Sequence, residues 1–283
     1  MRTSSPWHRP DTGDAWIMGV LNCTPDSFSD GGLFTDKKRA VSHALSLSGA
    51  GAAIIDVGGE STRPGSKSIP FEVELRRVLS VIEALVSEGI YTSVDTSKSE
   101  VMRRALGAGD RMVNDVTALT RDSNAMDVVA ESDCDVCLMH MRGTPERMQD
   151  DPHYGDVVAE IEFFFQQRLE ACIQAGICES RIILDPGIGF GKNLQDNLLI
   201  LASLSHFKKL GFPVLAGVSR KSFLAELTAS PVGDREVETA AAVAACVLAE
   251  ADILRVHDVS CQARAVKVAS AVRQALSKQS KVS

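Results

Sequence analysis

Eight short apolar segments, each followed by an amphipathic stretch, constrain the fold of this chain more than any other feature. Each segment is too short for a helix and is rich in Val or Ile, which is typical of a strand buried on both faces. They are Trp16–Leu21, Ala52–Val57, Ile90–Val94, Met112–Val116, Val136–Met139, Ile182–Leu184, Val214–Val218 and Ile253–Val256. The pattern predicts eight parallel strands separated by helices.

Helical periodicity fills the intervals between these segments. The stretch Phe71–Glu88 repeats apolar residues at Val73, Val78, Val81, Ile82 and Leu85, the spacing of one buried helix face. Ser97 and Glu100 have the spacing of a capping box, which predicts that a helix begins there. Further helices are predicted over residues 37–51, 156–175, 194–210, 235–250 and 261–276, and the weakest pattern lies near 123–131.

Eight such units in 283 residues fit a single-domain α/β fold, the (β/α)8 TIM barrel. We expect the barrel to span residues 16–278, with a flexible polar arm at 1–15 and a short tail at 279–283. A doubly wound open sheet is the alternative, although it usually has fewer strands and an early glycine fingerprint.

Charge and composition narrow the possible partners. The formal net charge is −7, so there is no general attraction for nucleic acid and we expect none to bind. The longest apolar run, Ala240–Ala249, is about half the length of a membrane-spanning helix, and we expect no membrane association. Seven cysteines without framework spacing or an export signal predict reduced thiols and a cytoplasmic protein.

A polar residue follows every predicted strand. The series comprises Asn22, Asp56 with Glu60, Asp95, Asn114 with Asp115, His140, Asp185, Ser219 with Arg220 and Lys221, and Arg255 with His257 and Asp258. Helix capping explains any one of these acids, but it explains eight successive polar ends poorly. Because barrel active sites lie at the C-terminal face, the series predicts a site there, with acids from early strands facing cations from late strands.

Three loops add to this prediction. Residues 22–32 and 58–66 combine Gly and Pro with hydroxyl side chains, which is typical of mobile loops that close over a substrate. The glycine-rich segment Gly187–Lys192 is either a tight turn or a place where a flat ligand approaches the backbone. Loop seven leads into a short helix before Pro231, an arrangement that often holds phosphate in barrels.

Several of these residues also have a purely structural interpretation. Asp56 and Asp115 either tie strand ends together or contact a ligand, and His140 is better explained as a hydrogen-bonded barrel residue than as a catalyst. Cys134 and Cys137 have CxxC spacing, but on a strand their side chains point to opposite faces, so neither a metal nor a redox pair is expected.

The motifs together resemble the dihydropteroate synthases of the folate pathway. The matching segments are MGVLNCTPDSFSDGG (18–32), IIDVGGESTRPGS (54–66), SVDTSKSEVMRRAL (93–106), VNDVTAL (113–119), LMHMRGTP (138–145), ILDPGIGFGKN (183–193), GVSRKSFL (217–224) and ILRVHDV (253–259). The resemblance implies a (β/α)8 homodimer that joins 7,8-dihydropterin-6-ylmethyl diphosphate to 4-aminobenzoate. The products are 7,8-dihydropteroate and pyrophosphate, and the diphosphate would leave before the amine attacks.

The resemblance also implies roles for individual residues. Asp95, Asn114 and Asp185 would hold the pterin edge, Lys221 would donate to it, and Arg255 would stack on the ring, with Met139 and Phe190 lining the slot. The diphosphate would contact Asn22, Arg63, Arg255 and His257, with Mg²⁺ bound through Asn22 and water. The 4-aminobenzoate pocket would comprise Phe28, Thr62, Arg63, Pro64, Lys221 and Ser222, and Asp30 would stabilise a cationic intermediate. The catalytic set is then Asp30, Arg63, Lys221, Arg255 and His257.

Three rival functions remain open at this point. A pterin-binding methyl-transfer domain shares the acidic residues that follow the early strands. It does not account for the TRPG (62–65) and SRKS (219–222) motifs. A lyase would use Lys221 as a Schiff-base nucleophile. A catalytically silent pterin-binding subunit would not need the complete set of polar residues.

Overall fold

The computed structural model describes residues 5–8, 13–24, 33–63, 65–150, 152–231 and 233–279. Eight parallel strands form a nearly closed barrel: β1 (Trp16–Asn22), β2 (Ile54–Gly58), β3 (Thr92–Asp95), β4 (Met112–Asp115), β5 (Asp135–Met139), β6 (Ile182–Asp185), β7 (Leu215–Ala216) and β8 (Ile253–Val256). β1 pairs with β8, and a bridge between Leu184 and Val214 joins β6 to the β7 side. The predicted TIM barrel is confirmed, and the open sheet is excluded.

Helices surround the strands. They are α1 (Leu33–Gly49), α2 (Phe71–Ser87), α3 (Ser99–Gly107), α4 (Ala125–Ala130), α5 (Val157–Gln174), α6 (Leu194–Ala202), α7 (Leu204–Lys208), α8 (Ser222–Thr228), α9 (Glu236–Leu248) and α10 (Val259–Gln279). On α2 the predicted apolar face is buried at Val78, Val81, Ile82 and Leu85. Among the described residues, no helix combines the length and the apolar character needed to cross a bilayer.

Two helix predictions are corrected. The predicted helix over 194–210 is interrupted at Ser203 and forms α6 and α7. The predicted capping box at Ser97 is also wrong, because α3 begins at Ser99 and its N-terminus is capped from outside. The Asp122 carboxylate, from the loop after β4, accepts a hydrogen bond from the Ser99 backbone N–H at 2.8 Å.

Side chains fill the barrel interior in layers. The middle layer contains Met18, Ile54, Met112, Cys137, Ile183, Leu215 and Ile253, all fully buried. Alternation along each strand places the next inward-facing residue two positions later, at the C-terminal rim. The same rule leaves Cys134 in the outer core and Cys137 in the interior, on opposite faces as expected.

Trp7 closes the opposite end of the barrel. Its ring is 7% exposed and packs edge-on against Trp16 and Tyr91, and its Nε1–H donates to Asp135 Oδ2 at 2.8 Å. The expectation of a flexible arm over 1–15 is therefore wrong for Trp7, because an aromatic ring covers the apolar bottom of the interior. At the other terminus, Gln279 is the last residue of α10 rather than the first of a tail.

Candidate functional site

The inward-facing residues at the C-terminal rim are polar on most strands. Asp95 pairs in register with Asn114, and Met139 with Asp185, so the two members of each pair lie side by side on neighbouring strands. Two positions beyond the apolar layer, β2 contributes Asp56 and β8 contributes Arg255. The switch from apolar to polar along most strands therefore places the site directly above the packed interior.

Arg255 is held by two carboxylates. Its Nε donates to Asp56 Oδ2 at 2.7 Å, and its Nη2 donates to Asp95 Oδ2 at 2.8 Å. Asp56 is fully buried and also accepts from Ser93 Oγ at 2.7 Å and Asn114 Nδ2 at 3.0 Å. Asp56 thus has the structural role, since its hydrogen bonds are directed at protein groups that it orients.

Asp95 keeps one oxygen free for a ligand. Its Oδ1 is buried and has no hydrogen-bond partner among the described residues. Burial raises the pKa of Asp95 to about 7, against the opposing effect of Arg255 and with the help of the nearby Asp56 charge. An unpartnered buried carboxylate oxygen is costly unless a donor arrives, so this atom marks a binding position.

Asp185 and Lys221 form a second polar pair at the rim. Asp185 Oδ1 accepts from the Gly187 backbone N–H at 2.8 Å, and burial raises the Asp185 pKa against the lowering effects of that bond and of Lys221. Burial also lowers the Lys221 pKa to about 7, opposed by Asp185. The Lys221 Nζ lies 4.0 Å from the centre of the Phe190 ring, a cation–π contact that joins the two flanks of the site.

The loop after β6 fits tightly over the barrel rim. Gly187 has φ +66°, and a Cβ there would lie 1.9 Å from the His140 carbonyl oxygen. Lys192 Nζ enters this loop and contacts the carbonyl oxygens of Gly187 (2.8 Å), Phe190 (3.0 Å) and His140 (3.2 Å), and also His140 Nδ1 at 3.1 Å. His140 is therefore a structural acceptor, and the glycines serve close backbone packing as well as the site.

A cavity of about 530 Å³ lies between the ends of β1 and β8. Asn22, Arg220, His257 and Ser260 are among its lining residues. Ser219 Oγ accepts from the His257 backbone N–H at 3.2 Å and lies within hydrogen-bond distance of His257 Nδ1, at 2.9 Å. Burial, together with Arg255 and Arg220, lowers the His257 pKa to about 3. His257 is thus a neutral ring in the ligand-free protein.

A second cavity, of about 330 Å³, opens beside Asp95. Thr62 and Met139 line it, while Arg63 is exposed on the loop after β2 and is close enough to contribute to the lowered His257 pKa. Ser222, also exposed, is the first residue of α8. Phe28, Asp30 and Pro64 lie outside the described residues.

The structure brings together most of the predicted site residues. Asp95, Asp185, Lys221 and Arg255 act electrostatically on one another at a single rim, the juxtaposition on which the prediction depended. Asp115, left open before, caps the following turn by accepting from the Thr117 and Leu119 backbone N–H groups.

Sequence reasoning gave no role to Lys192, Lys98 or Glu74, although the first two lie within the quoted motifs. The available signals were the position of Lys192 inside a glycine-rich loop and the position of Lys98 three residues after the strand-end Asp95. Neither signal showed that the ammonium groups would turn inward.

Comparisons with known proteins agree on one family. The sequence model of the family described as "Pterin binding enzyme" matches residues 18–257. The dihydropteroate synthase of Escherichia coli (strain K12) is 43% identical over 266 residues, covering 94% of each chain. The solved structure of Xanthomonas albilineans dihydropteroate synthase with 4-aminobenzoic acid is 47% identical, with a TM-score of 0.86 over 93% of this chain and 94% of that one. Another structure of that enzyme, in complex with 7,8-dihydropteroate, has 44% identity and a TM-score of 0.83 over 93% of this chain and 95% of that one.

Proposed function

This chain belongs to the pterin-binding enzyme family, and from that premise and its site we infer that it is a dihydropteroate synthase. It is a transferase that joins 7,8-dihydropterin-6-ylmethyl diphosphate to 4-aminobenzoate, giving 7,8-dihydropteroate and pyrophosphate in folate biosynthesis. The observation that carries this conclusion is the free, buried Oδ1 of Asp95 beside Asp185 and Lys221, because a pterin edge supplies the missing donors.

The pterin is proposed to lie in the slot above the packed interior. Its amino and ring N–H groups donate to Asp95 and Asp185, and Asn114 and Lys221 complete the edge contacts. Two carboxylates hold the Arg255 guanidinium by separate nitrogens, so its plane is fixed before the ring stacks on it, which a lysine could not reproduce. Met139 and Phe190 supply apolar walls.

The diphosphate is proposed to occupy the cavity beside Asn22 and His257, with Arg63 and Arg255 balancing its charge. Arg220 lines the same cavity and adds a further cation. His257 enters as a neutral ring with Nδ1 in contact with Ser219 Oγ, and its other ring nitrogen, Nε2, is proposed to donate to the diphosphate.

Mg²⁺ is proposed as an ion carried by the diphosphate. Among the described residues, no group of three or more His, Cys, Asp or Glu is arranged to hold a metal ion. Asn22 contributes one amide oxygen, and Mg²⁺ bound to few protein ligands commonly keeps water and bridges phosphates. When bound, the ion neutralises charge on the departing diphosphate.

The reaction is proposed to begin with rupture of the bond between the methylene carbon and the diphosphate oxygen. The electron-rich pterin ring delocalises the resulting positive charge, and Asp30 stabilises it. The 4-aminobenzoate nitrogen then forms the new bond to carbon and loses one proton. Its pocket is assigned to Phe28, Thr62, Arg63, Pro64, Lys221 and Ser222, and no covalent bond to the protein is required.

A homodimer in the cytoplasm is also proposed. On α10, Val268, Val272 and Leu276 recur every four residues and are 67%, 47% and 56% exposed, so they form an apolar stripe suited to a second copy. All seven cysteines are free thiols, five of them buried, and this supports a reducing compartment.

The decisive experiment measures pyrophosphate release from the pterin diphosphate with Mg²⁺, with and without 4-aminobenzoate, and identifies the pterin product. We expect dihydropteroate in an amount equal to the pyrophosphate released. Failure to release pyrophosphate with both substrates and Mg²⁺ would indicate a silent binding subunit. Borohydride trapping of Lys221 with substrate would indicate the lyase, and methylation of a corrinoid partner would indicate the methyl-transfer domain.

A further inference from the structure

Lys98 and two glutamates form a partly buried ionic cluster outside the contacts assigned above. We call Lys98, Glu60 and Glu74 the Lys98 cluster. The Lys98 Nζ lies 2.6 Å from Glu60 Oε2 and also bonds Glu74 Oε2, while the exposed fractions of the three side chains are 17%, 11% and 0%. Charges are rarely withdrawn from water to this extent unless they are paired, so the cluster is a specific feature of the fold.

The cluster joins three parts of the barrel rim. Lys98 follows β3, three residues after Asp95, while Glu74 belongs to α2 and Glu60 begins the loop after β2. A single ammonium group therefore connects the strand end that carries a pterin carboxylate to the start of that loop.

Glu60 fastens both ends of the loop over residues 59–69. Its Oε2 accepts from Lys98, and its Oε1 accepts from the backbone N–H of Ile69 at 2.7 Å, at the far end of the loop. The start of the loop is further fixed by Arg77, whose Nη1 donates to the Gly59 carbonyl at 2.7 Å. At Gly59 the backbone also meets α2 closely, since a Cβ there would lie 2.7 Å from Val78 Cγ1.

The residues held between these ends are those that face the second substrate. Thr62 and Arg63 lie between Glu60 and Ile69, and Thr62 lines the 330 Å³ cavity together with Glu60, Glu74 and Asp95. Inside the loop, Ser66 Oγ donates to the Ser61 carbonyl at 2.6 Å, and the Gly65 N–H donates to the Pro145 carbonyl at 3.0 Å. These contacts stiffen the middle of the loop, whereas the Lys98 cluster ties its base to the strand end that carries Asp95.

We propose that Lys98 and Glu60 are positioning residues for 4-aminobenzoate: through the Lys98 cluster they hold the loop over 59–69 so that Thr62 and Arg63 face the bound pterin. The inference rests on the proposed function and adds two residues to it, which act through the loop rather than through an assigned substrate contact. The inference predicts different effects on the binding of the two substrates. The cluster braces the loop that faces 4-aminobenzoate, and it leaves the pterin contacts of Asp185, Asn114 and Lys221 unchanged.

Glu60→Gln is the sharpest test, because Glu60 Oε2 accepts from Lys98 and Oε1 accepts from the Ile69 N–H, with the Ser68 side chain also bonding to the carboxylate. A glutamine has one acceptor oxygen, so its NH₂ group must face either the Ile69 N–H or the Lys98 ammonium. The Lys98–Glu74 pair remains, and no buried carboxylate is left without its cation. We expect the KM for 4-aminobenzoate to rise about tenfold, the order expected for loss of a charge-assisted hydrogen bond. We expect the pterin Kd, measured by calorimetry without 4-aminobenzoate, to change by less than about twofold.

Lys98→Met and Lys98→Arg provide the rescue comparison. Methionine leaves the buried Glu74 without a cation and can prevent folding, in which case Glu60→Gln decides alone. If it folds, we expect Lys98→Met to raise the same KM and Lys98→Arg to restore most of it. Combining Lys98→Met with Glu60→Gln should add little to either single change, since both act through one contact.

Lys67→Met is the matched control, because Lys67 is an exposed lysine in the same loop, and its KM values should equal those of the wild type. The inference is overturned if Glu60→Gln leaves the 4-aminobenzoate KM unchanged, or if it weakens both substrates equally. These outcomes are separate from failure of the proposed function, which would appear as absence of product in the wild-type protein.

Discussion

Asp95 shows at the scale of one residue how the site remains ready for a ligand. One of its oxygens orients Arg255 by accepting a hydrogen bond, and the other is buried without a donor. Burial therefore makes ionisation of Asp95 difficult, and its pKa rises to about 7. A pterin that donates to Oδ1 favours the ionised form and should bind better as that form becomes populated.

The raised pKa of Asp95 predicts the direction in which pterin affinity changes with pH. Because the Asp95 pKa is raised, the carboxylate forms as pH rises through about 7, and pterin affinity should increase over the same interval. Below it, the Kd should rise by up to about tenfold per pH unit. Calorimetry with hydroxymethyl-dihydropterin, which has no phosphate to titrate, measures the effect between pH 5.5 and 8.5. Lys221, whose pKa burial lowers to about 7, loses its proton over the same interval and opposes this increase. Asp95→Asn should therefore remove the increase in affinity and leave only the decrease due to Lys221, and a variant that retained the increase would assign the titration to another group.

Asp185 gives a second prediction at this scale. Its Oδ1 accepts from Gly187 N–H, and the pterin is proposed to use the other oxygen. In Asp185→Asn one of these acceptors becomes an NH₂ group that faces a donor, which should cost about 1–3 kcal/mol of pterin binding. The exposed Asp150→Asn is the control for the same chemical change. Unchanged pterin affinity in Asp185→Asn would contradict the proposed contact.

At the scale of elements, the loop after β6 depends on Lys192 for its shape. Three backbone carbonyls converge on the Lys192 ammonium. Without it the His140 and Phe190 carbonyls would lose this donor, and the Gly187 carbonyl would keep only the Phe190 N–H. Lys192→Met should therefore lower the free energy of unfolding by about 3 kcal/mol, as measured by urea denaturation. The exposed Lys209→Met should change it by less than about 0.5 kcal/mol. A small effect in both variants would mean that the loop holds its shape by glycine packing alone.

The strands were predictable because burial on both faces leaves an unbroken apolar run that ends where polar residues begin. The helix termini were less predictable, since their partners are distant in sequence. Asp122 caps α3 from another loop, and no local pattern around Ser97 contains that information. Ser203 similarly divides one apolar stretch into two helices, α6 and α7, and Phe207 of α7 is buried.

In the site, strand-end carboxylates and cations were predictable because parallel strands bring their ends to one rim. The protonation states and the hydrogen-bond partners of these groups were not predictable, because both depend on burial. His257 has the sequence position of a phosphate-binding cation but a pKa lowered to about 3. Asp56 has the position of a ligand contact, but its oxygens accept hydrogen bonds from Ser93, Asn114 and Arg255.

At the scale of the whole molecule, the two ends of the barrel have different roles. The end covered by Trp7 contributes to stability, and the opposite end carries the candidate site. Trp7 packs at the end opposite Arg255, so Trp7→Ala should lower the free energy of unfolding by about 3–5 kcal/mol. Trp7→Phe keeps most of the buried ring but loses the bond to Asp135, and should cost about 1 kcal/mol. Both folded variants should keep wild-type kcat and KM values. A specific loss of substrate affinity in either would show that the two ends are coupled.

The apolar stripe of α10 gives a prediction about assembly. Val268→Asp should weaken the proposed homodimer, because a carboxylate at a dimer interface loses its water without gaining a partner. Sedimentation velocity should show a dimer for the wild type and a monomer for the variant at the same concentration. The exposed Lys267→Asp on the same helix serves as a charge control. A wild-type monomer at high micromolar concentration would contradict the proposal.

The aromatic seal around Trp7 has a consequence for the order of events at the opposite rim. The Trp7 ring closes one end and side chains fill the interior, so the described residues leave the C-terminal rim as the expected route for substrates and products. A ligand held deep at that rim should bind before, and leave after, a ligand that lies above it under the Thr62 loop. Occupation of the outer position should therefore slow escape from the inner one even where the two ligands never touch.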